Sequence, residues 1–235
     1  GTAFARLLAG TGLATELICR RPEQAEAINA GHRNPDYLTD IDLPESVTAS
    51  SFAENRLGES SLVVIAVPSK AFRGVISSLA ASINPEASVL SLTKGLEPET
   101  LKRMSEVLAD ELPATAAATP TATTANTATT NAVATAAPTA AKIAVLSGPN
   151  HAEEVALDIP TATTIAAANN DLARVLQALI STPAFRVYIN SDLIGVELCA
   201  ATKNVIALAA GMSDGLGFGD NTKASLLTRG LAEMA

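Results

Sequence analysis

Two lysines in this sequence sit where an ammonium ion could do chemistry. Lys203 stands beside Asn204 in the run Gly195-Val-Glu-Leu-Cys-Ala-Ala-Thr-Lys203-Asn204-Val-Ile-Ala-Leu-Ala-Ala-Gly211. Among Val, Ile, Leu and Ala its ammonium is expected to lose hydration. Desolvation disfavours the charged form and brings a lysine toward proton exchange near neutral pH. The alternative is a lysine at the edge of a core helix, stem buried and head in water. Lys94 belongs to Thr93-Lys94-Gly95, a turn that stops the strand-like run Ser88-Val-Leu-Ser-Leu92.

Three further turns follow apolar runs: Arg20-Arg21, Pro68-Ser69 and Ser147-Gly148-Pro149-Asn150. In an open parallel sheet, ligands bind beyond the carboxyl ends of the strands. Two of the four turns carry cations, and one offers Gly, Ser and Asn beside a helix start. Helix N-termini and lysines together make an anion site. Jointly these turns imply a nucleotide-type cofactor and a phosphorylated substrate. Gly1 is consistent with the last glycine of a G-x-G-x-x-G turn, and the next strand ends at Arg20-Arg21 about 20 residues later, where such a fold meets the adenosine ribose. Arginine there accommodates a 2′-phosphate, so Arg20 and Arg21 favour NADPH, or use of both NADPH and NADH. Two solvated arginines closing a strand are the alternative.

The elements that must position these residues alternate. Helical patterns cover residues 1–9, 23–30, 71–82, 97–112 and 171–181, with another starting at His151. Strand patterns cover 16–19, 61–67, 88–92, 143–146, 161–167 and 185–189. The clearest is Ser61-Leu-Val-Val-Ile-Ala-Val67, a β-branched apolar run stopped by Pro68. Such alternation predicts an α/β fold, a Rossmann-like, mostly parallel sheet with helices on both faces. From Leu193 strand signals stop, which predicts the start of an all-α C-terminal domain. The expected division is a dinucleotide-binding domain over 1–189 and a helical substrate domain from 190 to 235. Residues 113–141 carry no charge and are almost entirely Ala and Thr with three prolines, which reads as a flexible surface insertion.

Composition narrows the function classes. The 235 residues are 48% hydrophobic with a net charge of −8 and 16 Lys+Arg spread along the chain, which argues against nonspecific nucleic-acid binding. No apolar stretch reaches the roughly 18 residues of a membrane span, and no secretory leader is recognisable. Cys19 and Cys199 lie in apolar runs, as buried free thiols of a reducing cytoplasm would. Two histidines and two widely spaced cysteines offer no metal-ligand cluster, so no metal is expected. The chain opens inside a helical pattern without methionine and stops inside another, so a fragment of a longer protein is expected.

Several segments, taken in order, resemble bacterial NAD(P)-dependent glycerol-3-phosphate dehydrogenase. They are Arg33-Asn34-Pro35-Asp36-Tyr37-Leu38, Ala66-Val67-Pro68-Ser69, Thr93-Lys94-Gly95-Leu96-Glu97, Ser147-Gly148-Pro149-Asn150-His151-Ala152-Glu153-Glu154, Phe185-Arg186-Val187-Tyr188, Asp192-Leu-Ile-Gly-Val-Glu197, Lys203-Asn204-Val-Ile-Ala and Thr228-Arg229-Gly230-Leu-Ala-Glu-Met. The resemblance covers the chain except residues 113–141. It implies reduction of dihydroxyacetone phosphate to sn-glycerol 3-phosphate by NADPH or NADH, serving glycerophospholipid synthesis. It implies that Lys203 is the proton-transfer lysine and also touches substrate, and that Lys94 contacts substrate and cofactor. Gly148 and Asn150 would hold substrate, Ala152 would approach the cofactor, and Arg20 would lie beside the adenine ribose. The resemblance also allows a homodimer. The family's first strand and the opening of its glycine turn have no counterpart here. Its supporting Asp and its Ser-Arg-Asn phosphate clamp would fall beyond Ala235. His151 stands where family members often carry an apolar residue and is expected to pack. Two other readings are a dehydrogenase of the same two-domain class with another substrate, and a nucleotide-binding module without catalysis.

Overall fold

The computed structural model describes residues 1–112 and 142–234; the Ala/Thr segment expected to be an insertion lies outside the described residues. Seven strands and eight α-helices follow in order: α1 (Thr2–Gly10), β1 (Thr15–Cys19), α2 (Pro22–Gly31), β2 (Val47–Ser51), β3 (Leu62–Ile65), α3 (Ser69–Leu79), β4 (Ser88–Ser91), α4 (Met104–Glu111), β5 (Ile143–Ser147), α5 (Ala152–Ala156), β6 (Thr161–Ala167), α6 (Asn170–Ile180), β7 (Phe185–Asn190), α7 (Leu193–Gly215) and α8 (Asp220–Met234).

The strands form two sheets, β1-β2 and β3-β4-β5-β6-β7. Every pair is parallel except β5 with β6, so the sheet is mixed and mostly parallel, as the alternation predicts. The two sheets do not pair with each other. Residues of β1 and β3 instead line a cleft of about 700 Å³. Strand β2 was not legible in the sequence: Val47-Thr-Ala-Ser-Ser51 has no apolar run, and its pairing with β1 from Thr15↔Val47 to Cys19↔Ser51 makes it a strand.

Helices cover both faces because their apolar residues recur at helical spacing. On one face α3 buries Phe72, Ile76 and Leu79, and α4 buries Met104, Val107 and Leu108, all in one core with β3–β5. On the other, Phe4 and Leu7 of α1 and Ala173, Leu176 and Ile180 of α6 pack on Leu146, Ile165 and Phe185. The Asn169 side chain starts α6 by accepting the Asp171 amide at 2.9 Å.

The helix expected over 97–112 begins only at Met104. Residues 96–103 fold back instead: Leu96 bridges Arg103, the Glu97 amide donates to the Lys102 carbonyl at 2.9 Å, and Leu101 takes φ 57°. Glu97 is engaged bidentately by Arg73, Nε at 2.7 Å and Nη2 at 2.8 Å, and this tie outweighs the helical pattern. Arg73 also reaches Glu111 at 2.5 Å and Asp110 at 3.0 Å.

One expectation about the last region is corrected. Helix α7, with 23 residues, is long and apolar enough by length and composition to cross a membrane, and little of it is buried among the described residues. The shorter apolar runs join because Glu197 and Lys203 continue the helix between them.

Arg73 holds the Glu97 carboxyl at a pKa of about 2, well below its ordinary 4.5. A lowered carboxylate stabilises the fold above its unfolded value, and that stability is lost as pH falls through the folded one. Thermal melts should therefore fall between pH 4.5 and about 2. Glu97→Gln should melt lower at pH 7 and lose less across that window; a parallel decline in both proteins would detach Glu97 from acid stability.

Candidate active site

The carboxyl ends of β3, β4 and β5 converge on a cleft of about 320 Å³. Gly1, Phe4, Val67, Lys94, Asn150 and Phe185 are among its walls. Parallel pairing of β3, β4 and β5 sends their exit turns to one side, so turns far apart in sequence meet here. Thr93 Oγ1 donates to the Val67 carbonyl at 2.7 Å and joins the β3 and β4 exits.

Lys94 sits at the centre. Its Nζ donates to the Gly148 carbonyl at 3.0 Å and to Asn150 Oδ1, bonding the β4 exit to the β5 exit. Burial pushes the Lys94 ammonium below its ordinary pKa, and the Lys203 charge pushes it further down. Gly148 is required by close approach. A Cβ there would lie 2.8 Å from the Thr163 Cα and 2.9 Å from the Ala162 carbonyl oxygen. With no side chain, the turn seats against β6 and its carbonyl meets Lys94.

The structure brings Lys94, Gly148 and Asn150 into direct contact, and Gly1 and Ala152 line the same cleft. Among the described residues Lys203 is exposed, as are Asn204 and Val205, which agrees with the alternative of a lysine with its head in water. Periodicity shows that residues are apolar, not that something covers them. The desolvated lysine is Lys94. His151 is also corrected: its side chain is 84% exposed and it starts α5 rather than packing. Cys19 is buried, whereas Cys199 is only half-buried; neither forms a disulfide.

Arg20 and Arg21 lie at the end of β1, both exposed, away from the cleft lining. Arg21 is paired with Asp36, while Arg20 makes no ion pair among the described residues. Asn34 builds the neighbouring loop. It is buried, its amide donates to Thr2 Oγ1 at 2.8 Å, and its oxygen accepts from the Asp36 amide at 3.0 Å. Sequence reasoning missed the Phe4–Phe185 edge-to-face pair beside the cleft, with ring centroids 6.3 Å apart. It also gave no role to Glu197, although a lone acid in an apolar helix signals a buried partner.

The residues present fit a nicotinamide dinucleotide. The cleft lies at strand ends with the N-terminus of α1 at its edge, small residues (Gly1, Ala66, Ala152) leave room, and Phe4, Val67 and Leu92 supply apolar walls beside Lys94. Fold and cleft together define a Rossmann-type α/β dehydrogenase fold. Residues 1–129 and 121–173 match the model of the NAD-dependent glycerol-3-phosphate dehydrogenase N-terminus, and residues 192–235 match that of its C-terminus. The chain belongs to the NAD-dependent glycerol-3-phosphate dehydrogenase family.

It is 44% identical over 235 residues to the NAD(P)+ glycerol-3-phosphate dehydrogenase of Oceanobacillus iheyensis, covering 100% of this chain and 61% of the relative. It is 44% identical over 234 residues to an enzyme of the same name from Salinibacter ruber, again with 100% and 61% coverage. The crystal structure of glycerol-3-phosphate dehydrogenase from Coxiella burnetii superposes with a TM-score of 0.76 at 34% identity, over 99% of this chain and 63% of that one. The chain thus spans about three fifths of the length of the curated relatives it matches.

Gly148→Ala should force the 147–150 turn off β6 at a cost of about 1–3 kcal/mol, the range for overpacking. Urea denaturation would read this as a lower midpoint, and a midpoint within error of the parent would show that the close approach relaxes freely.

Proposed function

We propose that the protein reduces dihydroxyacetone phosphate to sn-glycerol 3-phosphate with NADPH or NADH. One observation carries the reading: a half-buried ammonium, Lys94, is fixed by Gly148 and Asn150 at the strand ends and lies within the field of a second lysine. An ammonium fixed beside an apolar cleft suits a small ketone bearing a phosphate. The dianion would offset both the desolvation of Lys94 and its repulsion by Lys203.

In this reading Gly1, Lys94 and Ala152 hold the dinucleotide, with Arg20 and Arg21 at its adenosine end. The nicotinamide, when bound, supplies the hydride that adds to the carbonyl carbon. Lys94 orients the substrate and stabilises charge developing on its oxygen, while the Gly148–Asn150 turn positions it from the other side. Lys203, itself open to water, donates a proton to the carbonyl oxygen as the C=O π bond becomes a C–H and an O–H bond, and regains one from solvent. Asp36 holds Arg21, which leaves Arg20 as the freer contact for a 2′-phosphate.

The domain reading belongs to the same proposal, with 1–189 binding the dinucleotide and 190–235 starting the helical substrate domain. It is supported by the end of the last strand at Asn190 and by the family models, which part between residues 173 and 192. We also propose a cytoplasmic protein, supported by its free thiols and by the charged residues along α7. A homodimer agrees with the exposed apolar residues of α7 and α8, among them Leu208, Met212 and Leu231.

The deciding assay is oxidation of NADPH and of NADH by the complete protein, with dihydroxyacetone phosphate as oxidant. Turnover with either supports the reaction and ranks the cofactors; none from folded protein points to another substrate of the same class. Lys203→Ala should cut turnover by roughly 10²-fold or more while cofactor affinity barely changes. Turnover within a few-fold of the parent would remove Lys203 from proton transfer. Arg20→Asp should shift preference from NADPH toward NADH, and an unchanged ratio would separate Arg20 from the 2′-phosphate.

A further inference from the structure

Helix α7 carries Lys203 yet buries very little. Among the described residues, Glu197 and Ser213 are the buried positions of α7, and Glu197 is 7% exposed. A carboxylate out of water is costly unless it is paired and hydrogen-bonded. Glu197 meets that condition three times: it accepts from the Ser105 amide at 2.8 Å, the Ser105 hydroxyl at 2.5 Å and Arg103 Nη1 at 2.9 Å. Ser105 lies in the first turn of α4, where amides have no partner within the helix. Residue Arg103, at the cap position, has no side-chain acceptor to offer. Glu197 supplies one from 92 residues further along the chain.

The other end of this connection leads to Lys94. Arg103, which donates to Glu197, also bridges Leu96, two residues past Lys94. The same short loop is closed by the Glu97 amide on the Lys102 carbonyl at 2.9 Å and anchored by Arg73 on the Glu97 carboxylate. Glu197 and Lys203 share a continuous helix, six residues or about 9 Å apart along its axis. A single carboxylate thus connects the element carrying one lysine to the loop carrying the other.

We propose that Glu197 is a positioning residue, fixing through Arg103 and Ser105 the separation between Lys94 and Lys203. It touches neither substrate nor cofactor and acts by holding α7 on the start of α4. This rests on the reading of the two lysines given above. The separation matters because a proton donor and a charge-stabilising group must reach one substrate oxygen together, and a displacement of about 1 Å can cost 10²-fold in rate.

The test is Glu197→Gln in the complete protein, alone and combined with Lys203→Ala, with Ser105→Ala as a second variant that keeps the carboxylate. Glu197→Gln should lower kcat with dihydroxyacetone phosphate at least tenfold and leave NADPH affinity within twofold. Added to Lys203→Ala, it should cost less than twofold more, because there is no longer a lysine to position. Ser105→Ala should show a smaller loss with the same dependence on Lys203. A readout independent of turnover is the pH midpoint of Lys94 labelling by an amine-acylating reagent. That midpoint should rise in Glu197→Gln, and likewise in Lys203→Ala, because the Lys203 charge moves away or is removed.

Turnover within twofold of the parent, or a full tenfold loss on top of Lys203→Ala, would overturn the proposal and leave Glu197 a residue of the fold alone. An unchanged Lys94 midpoint in Glu197→Gln would do the same. If Lys203→Ala leaves turnover intact, the role given to Lys203 fails, and the labelling midpoint still decides whether Glu197 sets the separation.

Discussion

The half-buried ammonium of Lys94 is the constraint around which the site is organised. A charge drawn partly out of water must recover hydrogen bonds from the protein. Lys94 finds them on the Gly148 carbonyl and on Asn150, at the end of a different strand. Those acceptors are in place only because the Gly148 turn lies against β6 with no room for a side chain. Parallel pairing of β3, β4 and β5 carries the exits of all three to the same edge. The lysine, the glycine and the strand register therefore depend on one another.

A second layer of ion pairs surrounds this centre and keeps the Lys94 loop from becoming helix. Arg73 gathers Glu97, Asp110 and Glu111, while Glu197 takes Arg103 and the first turn of α4. Isolated exposed ion pairs contribute little to stability, but these are partly screened from water and share members, so they act on geometry. They define where a loop must stop and where a helix must start. Such placement governs the electrostatics around Lys94, because Coulomb energies change steeply over a few ångströms.

Helix α7 is where local sequence and environment disagree most. Its residues are apolar enough for a core or a membrane, yet among the described residues it packs mainly on α8, with lesser contact to β5 and β6. Among the described residues Lys203 is exposed, while burial pushes the half-buried Lys94 ammonium below its ordinary pKa. The Lys203 charge adds to that lowering of the Lys94 pKa.

The sequence by itself determined the class of fold, most of the elements and the turns that meet at the cleft. Apolar runs of β-branched residues and the i, i+4, i+7 spacing of Phe72, Ile76 and Leu79 are local patterns, readable without neighbours. Gly148, Asn150 and Lys94 were legible because turns at successive strand ends converge in any parallel sheet. Strand β2, the antiparallel entry of β6, the non-helical 97–103 loop and the Glu197 clamp were not. Each depends on a partner distant in the chain: β1 for Val47–Ser51, Arg73 for Glu97, Ser105 for Glu197. Which of two lysines loses its water was likewise a tertiary outcome, since burial is conferred by what packs against a residue and a pattern of apolar neighbours does not say what that will be.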